Sequence, residues 1–336
     1  MNAVLQPQRR IPEWQSALTA SFTRPAELLA FLQLPADLPG LKLAEIRDFP
    51  LRVPRGFANR MQKGQPDDPL FKQVWPSPRE RDASPDFAID AVGDLTKLKA
   101  GGLIHKYHGR ALVIATGACA VNCRYCFRRH FPYGETRASR NHWHALLAEL
   151  RADDTIEEVI LSGGDPLSLT DDKLADLAEG LNQIPHLKRL RLHTRQPIVL
   201  PERVDEALLE WLTATRLQTV MVLHVNHANE LDDEVAAAMA RLKRAGVPLL
   251  NQAVLLAGIN DTLDVQKALS ERLFEVGILP YYLHLLDRVQ GAAHYEVDEA
   301  AGKALMRELS AHLPGYLVPR LVREIAGKPS KTWMHW

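Results

Sequence analysis

The stretch ATGACAVNCRYCFRRHFPYGE, residues 115–135, carries all three cysteines of a chain of 336 residues. Cys119, Cys123 and Cys126 form a C-x3-C-x2-C pattern directly after the apolar run ALVIAT. Disulfide scaffolds pair their cysteines, whereas an odd, clustered set is typical of a metal-binding or catalytic site in a reducing compartment. The stretch therefore predicts a metal centre in a cytoplasmic protein.

Three kinds of site are compatible with the three thiols. They could be buried structural residues, since cysteine is often buried. A closed zinc site would need a fourth ligand, for which His130 is available. A cubane iron–sulfur cluster normally takes four cysteines, so three would leave one iron open to a substrate or cosubstrate. The spacing and the lack of any other cysteine favour the open iron–sulfur cluster.

The composition excludes several other classes of protein. Hydrophobic residues make up 46% and charged residues 24% of the chain, which is typical of a soluble globular protein. Acidic and basic side chains number 41 each, so no net charge attracts nucleic acid or anionic membranes. We find no apolar run of 18 residues and no signal-peptide core in MNAVLQPQRRIPEW. We therefore expect neither a nucleic-acid nor a membrane partner.

From residue 110 onward, short apolar runs alternate with amphipathic stretches of helical length. The predicted strands are ALVIAT, EVILSG, LRLHT, TVMVLH, LLNQAVL and LPYYLHLL, and the predicted helices lie near 138–151, 171–183, 202–214, 230–245, 261–276 and 297–313. Strands that are apolar along their length are typical of parallel sheets covered on both faces. Repeated βα units predict an α/β fold, and six of them fit a partial (β/α)6 TIM-type barrel.

The rest of the chain flanks this barrel. Residues 1–100 are rich in Pro, Asp and Gly, and only PEWQSALTASF and PAELLAFLQL suggest helices. We expect a mainly helical N-terminal region at 1–100, the barrel at 101–315 and a C-terminal segment at 316–336. Polar motifs, namely SGGD, HTRQP, HVNH, NQ and LLDR, follow the predicted strands. Ligands of parallel α/β folds bind at the carboxyl ends of the strands, so these motifs indicate a binding site.

The cysteine pattern after a first barrel strand resembles that of the radical S-adenosylmethionine (SAM) enzymes. Tyr125, beside Cys126, is aromatic as the family motif prefers. The resemblance implies a [4Fe-4S] cluster whose open iron binds SAM, and one-electron cleavage of SAM to a 5′-deoxyadenosyl radical. It also implies that Gly163, Gly164 and Asp165, in LSGGDP after the second strand, bind SAM.

Six motifs narrow the resemblance to the lysine 2,3-aminomutase family: CRYCFRRHF, SGGDPL, TRQPIVLPERV, HVNHANE, GVPLLNQAVLL and PYYLHLLDRVQG. HKYHGRAL and YYLHLLDRVQGAAHY look closest to the branch that makes (R)-β-lysine for modification of elongation factor P. This resemblance implies pyridoxal 5′-phosphate (PLP) as a second cofactor and L-lysine as substrate. It further implies flavodoxin or ferredoxin as reductant, an indirect link to elongation factor P through its ligase, and a homo-oligomer.

The resemblance also implies the position of the PLP lysine. In the family this lysine follows a carboxylate by seven residues, which matches Lys331 after Glu324 and leaves Lys328 as the competitor. The tail REIAGKPSKTWMHW departs from the pattern, because its glycine run is interrupted and Glu324 stands where the lysine-specific enzyme has Asp. The chain also ends five residues after Lys331, where that enzyme continues. Substrate affinity and oligomer form are what these departures put in doubt.

Further roles follow from the resemblance, residue by residue. Arg128 matches the arginine that binds the substrate carboxylate, since a guanidinium can donate two parallel hydrogen bonds. Asp287 and Glu324 match the carboxylates that hold the distal ammonium of lysine. The remaining matches are Arg195 and Lys106 as cations that bind the PLP phosphate, Arg110 near the PLP ring, and His224, Asn251 and Gln252 near SAM, with Asn226 and His227 as candidates that could instead only satisfy loop backbone.

Two other functions remain open from the sequence. The first is a radical SAM enzyme without PLP, such as a modifying or activating enzyme. The second is an iron–sulfur or zinc module without catalytic activity, which the polar residues at the strand ends argue against.

Overall fold

The computed structural model describes residues 11–44, 49–134 and 140–336. The strands are β1 (Leu103–Tyr107), β2 (Arg110–Thr116), β3 (Glu158–Gly163), β4 (Arg189–Thr194), β5 (Gln218–Leu223), β6 (Leu249–Leu255), β7 (Leu279–Leu285), β8 (Arg320–Arg323) and β9 (Thr332–Trp333). The helices are α1 (Glu13–Thr19), α2 (Pro25–Phe31), α3 (Leu41–Ala44), α4 (Arg55–Asn59), α5 (Pro69–Lys72), α6 (Arg140–Ala152), α7 (Asp171–Asn182), α8 (Gln196–Val199), α9 (Glu206–Thr213), α10 (Asp233–Arg244), α11 (Leu263–Glu275) and α12 (Glu299–His312).

All strands belong to one sheet, in which each strand pairs with its neighbours in sequence. Strands β2 to β8 run parallel, whereas β1 and β9 pair antiparallel at the two edges. The α/β partial barrel is thus confirmed, and β2 to β7 correspond to the six predicted strands. The sequence prediction missed β8, because a four-residue strand after Pro319 is too short to show a period. In the described residues the sheet stays open between β1 and β9.

Helices α6, α7, α9, α10, α11 and α12 cover the outside of this sheet and alternate with its strands. Gly246 and Gly277 follow α10 and α11 with positive φ angles of 79° and 86°, which ends each helix before the next strand. The main core is formed by apolar side chains of the helices and of the outward-facing strand positions, such as Leu190 and Leu192 in β4. Along β4 the intervening Arg191 and His193 line a cavity inside the barrel.

Described residues of the N-terminal region pack against the loop that carries the cysteines. Helices α1 to α5 are short, and Phe22 and Val53 form an isolated antiparallel bridge. A second apolar core joins Phe57 and Phe71 of this region to Ala120 and Val121 of the cysteine loop, and to residues of α8. The N-terminal region therefore covers the loop that carries the three cysteines. Across the described ranges, no helix is long and apolar enough to cross a membrane.

Candidate active site

The barrel encloses a cavity of about 850 Å³. Its lining runs from the cysteine loop, through the inward-facing positions of the strands, to the C-terminal segment. Because side chains alternate along a strand, every second residue of β3, β4 and β7 points into this space. Members of the lining include Cys119, Cys123, Cys126, Arg128, Asp287 and Lys331. The structure thus brings the predicted cluster ligands and the predicted PLP lysine to one cavity.

The three cysteines lie in the loop after β2, where all three line the cavity. Burial raises the pKa of the Cys119 thiol, and burial with the neighbouring Cys123 raises that of Cys126 to about 11. Within the described residues, no three His, Cys, Asp or Glu side chains could hold a single metal ion. Cysteine thiolates are the usual ligands of iron–sulfur clusters, so three thiols that line one cavity fit such a cluster.

His130, the fourth ligand that a zinc site would need, lies outside this cavity. Its side chain is exposed, and its Nε2 atom lies 3.1 Å from the backbone oxygen of Gln290. The structure therefore does not bring His130 to the thiols.

Gly163 and Gly164 end β3 beside the cysteine loop. Gly163 has φ +120°, and a Cβ atom there would lie 2.5 Å from the carbonyl oxygen of Thr116. A Cβ atom at Gly164 would overlap the carbonyl oxygen of Ala118. Instead, the Gly164 amide donates a hydrogen bond of 2.7 Å to Thr116. These glycines allow the two strand ends to approach closely, and both line the cavity where SAM binding is predicted.

Asp165 is buried, and its carboxylate is used to hold the neighbouring strand end. One oxygen accepts hydrogen bonds from the Thr194 hydroxyl (2.7 Å) and from the amide of Leu167, and the other accepts from the amides of Arg195 (2.7 Å) and Gln196. These contacts show that the Asp165 side chain fixes the end of β4 next to the site. Its predicted role in SAM binding stays a prediction.

Asn251 is similar, since its side-chain amide exchanges two hydrogen bonds with the backbone of Val225. Asn226 bonds Tyr125 and Gln73, and the Nδ1 atom of His227 accepts from the amide of Asn229. Whether any of the three contacts SAM stays a prediction.

Arg195 lies on the same side of the cavity as Cys123. Its Nη1 atom is 2.8 Å from the Cys123 sulfur and 2.6 Å from the Tyr125 hydroxyl. Its Nη2 atom donates to Gln73 (2.6 Å) and to the fully buried carboxylate of Glu230 (2.8 Å). Arg195 is predicted to bind the PLP phosphate, but these hydrogen bonds join it to the cysteine loop and to the N-terminal region.

An alternating chain of charges crosses the other part of the cavity. Arg128 Nε donates to Asp94 (2.8 Å), whose other oxygen pairs with Lys106 (2.5 Å). Lys106 also pairs with Glu324 (3.1 Å), and Glu324 pairs with Lys331 (3.1 Å). The chain links the predicted carboxylate-binding arginine to the predicted PLP lysine. It also joins β1 to the segment after β8, across the open side of the sheet.

The charges of this chain stabilise each other. Burial alone would raise the pKa of Glu324, but the ammonium groups of Lys331 and Lys106 lower it to about 2. Burial opposes ionisation of Asp94 too, and Arg128 with Lys106 nevertheless lowers its pKa. Arg110 stacks over Tyr107 at 4.8 Å and lines the cavity near this group.

Asp287 has a different environment from Glu324. Its Oδ1 atom is buried and has no hydrogen-bond partner among the described residues. Burial, and then the negative charge of Glu324, raise its pKa to about 7. A buried carboxylate without a partner is costly, so this oxygen is a place where a cationic ligand would be stabilised.

The two candidate PLP lysines differ in location. Lys331 is partly buried, lines the cavity and lies 3.5 Å from the ring of His284 as well as beside Glu324. Lys328 is exposed and does not line the cavity. The geometry therefore favours Lys331, because a lysine that forms a Schiff base must face the cofactor.

Three histidines in the barrel form a neutral polar group. His224 Nε2 lies 2.7 Å from the side-chain nitrogen of Gln252, which approaches His193 at 3.5 Å. Burial is the main cause of a low pKa at His193, His224 and His284, and it lowers that of His224 to about 3. His193 and His284 were missed by sequence reasoning. A signal was available in the strand pattern. His193 and His284 follow the inward-facing Arg191 and Tyr282 by two residues, so they face the same side of the sheet.

The comparisons with known proteins agree with this arrangement. Residues 113–264 match the Radical SAM superfamily. The chain is 48% identical to L-lysine 2,3-aminomutase of Escherichia coli over 95% of this chain and 94% of that one, and 47% identical to the enzyme of that name from Haemophilus influenzae over 96% of each. Identity to L-lysine 2,3-aminomutase of Clostridium subterminale is 32%, over 82% of this chain and 66% of the other.

The cofactors of this family fit the residues of the cavity. Three thiols that line the cavity suit a [4Fe-4S] cluster, and a lysine held beside a carboxylate suits PLP. Near-full-length identity, the cysteine loop after the first parallel strand and the partial barrel all lead to the same conclusion: the chain belongs to the lysine 2,3-aminomutase family of radical SAM enzymes, which use a [4Fe-4S] cluster, SAM and PLP.

Proposed function

We propose that the protein is an isomerase that converts L-α-lysine to β-lysine. The observation that carries this proposal is the pair of carboxylates beside Lys331. Glu324 already pairs with an ammonium group, and Asp287 has a buried oxygen that no described residue satisfies. A ligand with a distal ammonium group would supply the missing partner, and the side chain of lysine ends in such a group.

The opposite end of the substrate needs a cation. Arg128 is fixed by Asp94 and by the Ser162 hydroxyl (3.0 Å), so its guanidinium is held in one orientation. A guanidinium held in this way can bind a carboxylate with two parallel hydrogen bonds. We assign the α-carboxylate of lysine to Arg128, and the distal ammonium to Asp287 and Glu324.

The chemistry depends on the cofactors, and the protein positions them. When bound, the cluster with SAM supplies a radical that removes a hydrogen atom, and PLP supplies the carrier for the migrating amino group. We propose that Lys331 is the lysine that PLP occupies before substrate arrives. Lys106 is a cation that suits the phosphate of PLP, and Arg110 lines the same cavity and is assigned to a position near the PLP ring.

The SAM side of the cavity is assigned to the strand ends next to the cysteines. Gly163 and Gly164 let the end of β3 pack closely against Thr116 and Ala118 beside the cysteines. The neutral ring of His224 with Gln252 can donate or accept hydrogen bonds without adding charge. Enclosure by the N-terminal region excludes water, which protects a radical from side reactions.

We also propose that the product is (R)-β-lysine for modification of elongation factor P. The support is the resemblance of the motifs HKYHGRAL and YYLHLLDRVQGAAHY to those of the branch that makes this product. With this assignment go a cytoplasmic location, a flavodoxin or ferredoxin as reductant, an indirect link to elongation factor P through its ligase, and a homo-oligomer.

The test uses the full chain reconstituted anaerobically with iron and sulfide. L-lysine, PLP, SAM and dithionite are added, and the products are derivatised with a chiral reagent and identified by mass spectrometry. We expect one enantiomer of β-lysine from the wild type and none from Cys126→Ala or Lys331→Ala, while Lys328→Ala stays active. Cleavage of SAM with unchanged lysine would refute the substrate assignment and favour a radical SAM enzyme that acts on another molecule.

A further inference from the structure

A buried cation contacts a predicted cluster ligand, and its contacts suggest a role in electron transfer to the cluster. Arg195 follows β4 and is 5% exposed. Its Nη1 atom lies 2.8 Å from the Cys123 sulfur, and its charge is balanced by Glu230, which is fully buried. We propose that Arg195 raises the reduction potential of the iron–sulfur cluster by donating a hydrogen bond to the Cys123 thiolate.

Neighbours from the N-terminal region and from the cysteine loop set the orientation of the Arg195 guanidinium. Gln73, at the end of α5, accepts from Nη2 at 2.6 Å, and the ring of Phe57 lies 5.4 Å away. Tyr125 accepts from Nη1 at 2.6 Å. Contacts from the N-terminal region and from the cysteine loop therefore hold Nη1 toward the sulfur.

Glu230 is itself fixed, so it can hold Arg195 without moving. One carboxylate oxygen accepts hydrogen bonds from the amides of Asn226 (2.9 Å) and His227 (3.1 Å) and from Gln73 (3.1 Å). The other oxygen faces Arg195. These hydrogen bonds hold the carboxylate in place, and they are electrostatically strong because the surroundings have a low dielectric.

The effect on the cluster follows from its charge. Reduction adds one electron from an external one-electron donor to a cluster that already carries three thiolates. A donor to a thiolate sulfur, and a cation beside it, stabilise the added negative charge and raise the potential. Arg195 is thus a residue that tunes the cluster, and its predicted role as a ligand of the PLP phosphate stays a prediction.

The test measures the cluster rather than the reaction. Anaerobically reconstituted protein, without lysine, PLP or SAM, is titrated with dithionite, and the reduced cluster is followed by electron paramagnetic resonance. In Arg195→Gln we expect the ratio of reduced to oxidised cluster at a fixed potential to fall at least tenfold, which corresponds to about 59 mV for one electron. In Arg195→Lys, which keeps the positive charge but lacks the planar guanidinium, this ratio should fall by less.

The matched control is Arg203→Gln, because Arg203 is an equally buried guanidinium that bonds Asp171 and the Leu167 carbonyl and does not line the cavity. We expect it to lose thermal stability and keep the wild-type potential. A wild-type potential in iron-loaded Arg195→Gln refutes the proposal. If Arg195→Gln does not load iron, an unchanged potential in Arg195→Lys refutes the proposal. If both variants fold but neither loads iron, the proposal is refuted and Arg195 has a role in cluster assembly instead.

This inference rests on the cluster that family membership implies, and not on lysine as the substrate. The potential is measured without substrate, so its outcome is separate from the outcome of the β-lysine assay.

Discussion

Asp287 allows a quantitative prediction about pH. Its pKa in the lysine-free protein is about 7, raised by burial and by Glu324 from an ordinary value of 3.8. A shift of about three units means that ionising this carboxyl in the empty cavity costs about 4 kcal/mol more than in water. If the distal ammonium of lysine binds the ionised form, binding must remove a proton below pH 7. The apparent affinity should then fall about tenfold for each pH unit from 7 downward.

Titration calorimetry on the PLP-loaded protein, without reductant, measures this effect. We expect the affinity for L-lysine to rise between pH 5.5 and 7 and to level off above pH 7.5, with proton release below pH 7. L-norleucine is a matched ligand without the distal ammonium, and its weaker binding should lack this step. An affinity for L-lysine that is flat between pH 5.5 and 8 would show that Asp287 does not bind the ammonium.

The variant Asp287→Asn supplies a second reading of the same carboxyl. The pKa of Asp287 is higher in the folded than in the unfolded protein. Its contribution to the stability of the fold is therefore fully present below about pH 4 and is lost as the pH rises through 7. In the lysine-free state at pH 8, Asp287→Asn should therefore unfold at a higher temperature than the wild type, although it binds lysine weakly at every pH. A lower unfolding temperature at pH 8 would contradict the assigned burial.

Three further predictions concern other parts of the site. After borohydride reduction and dialysis in denaturant, Lys331→Ala should retain no PLP, whereas Lys328→Ala should keep the near-ultraviolet absorbance of the covalently attached phosphopyridoxyl group; the reverse result would exchange the two lysines. Gly164→Ala should lower the free energy of unfolding in urea by roughly 1–3 kcal/mol, because its Cβ overlaps Ala118, while Gly315→Ala, where nothing lies within 4 Å, should change it little. Arg128→Lys should raise the KM for lysine about tenfold or more, since one ammonium cannot replace a two-pronged contact, and an unchanged KM would remove Arg128 from the substrate site.

The features of the fold that follow from local pattern were predictable. Strands β2, β3 and β5 contain continuous apolar runs, and β4 alternates leucine with Arg191 and His193. The helices between the strands have a clear period, so the existence of these elements followed from the sequence. Strand β8 has four residues and depends on pairing with β7, which no local pattern reveals. The cysteine spacing is local as well, and therefore indicated the cluster site directly.

The ion-pair chain was not predictable in the same way. Asp94 and Arg128 are 34 positions apart, and Lys106 and Glu324 are 218 apart, so only the closure of the barrel brings them together. Asp94 and Glu230 gave no signal because isolated acidic residues are mostly exposed. The contacts of Arg195 could not be predicted for the same reason, since Gln73 and Glu230 lie 122 and 35 positions away.

The apolar core shared by the N-terminal region and the cysteine loop has a consequence for the order of folding. Phe57 and Phe71 are synthesised early, but their partners Val121 and Val199 emerge from the ribosome roughly fifty to a hundred and forty residues later. Contacts of such high sequence separation form slowly, because a long loop must close first. The N-terminal region must therefore wait for the barrel before it can dock, and iron insertion has access to the thiols during that interval.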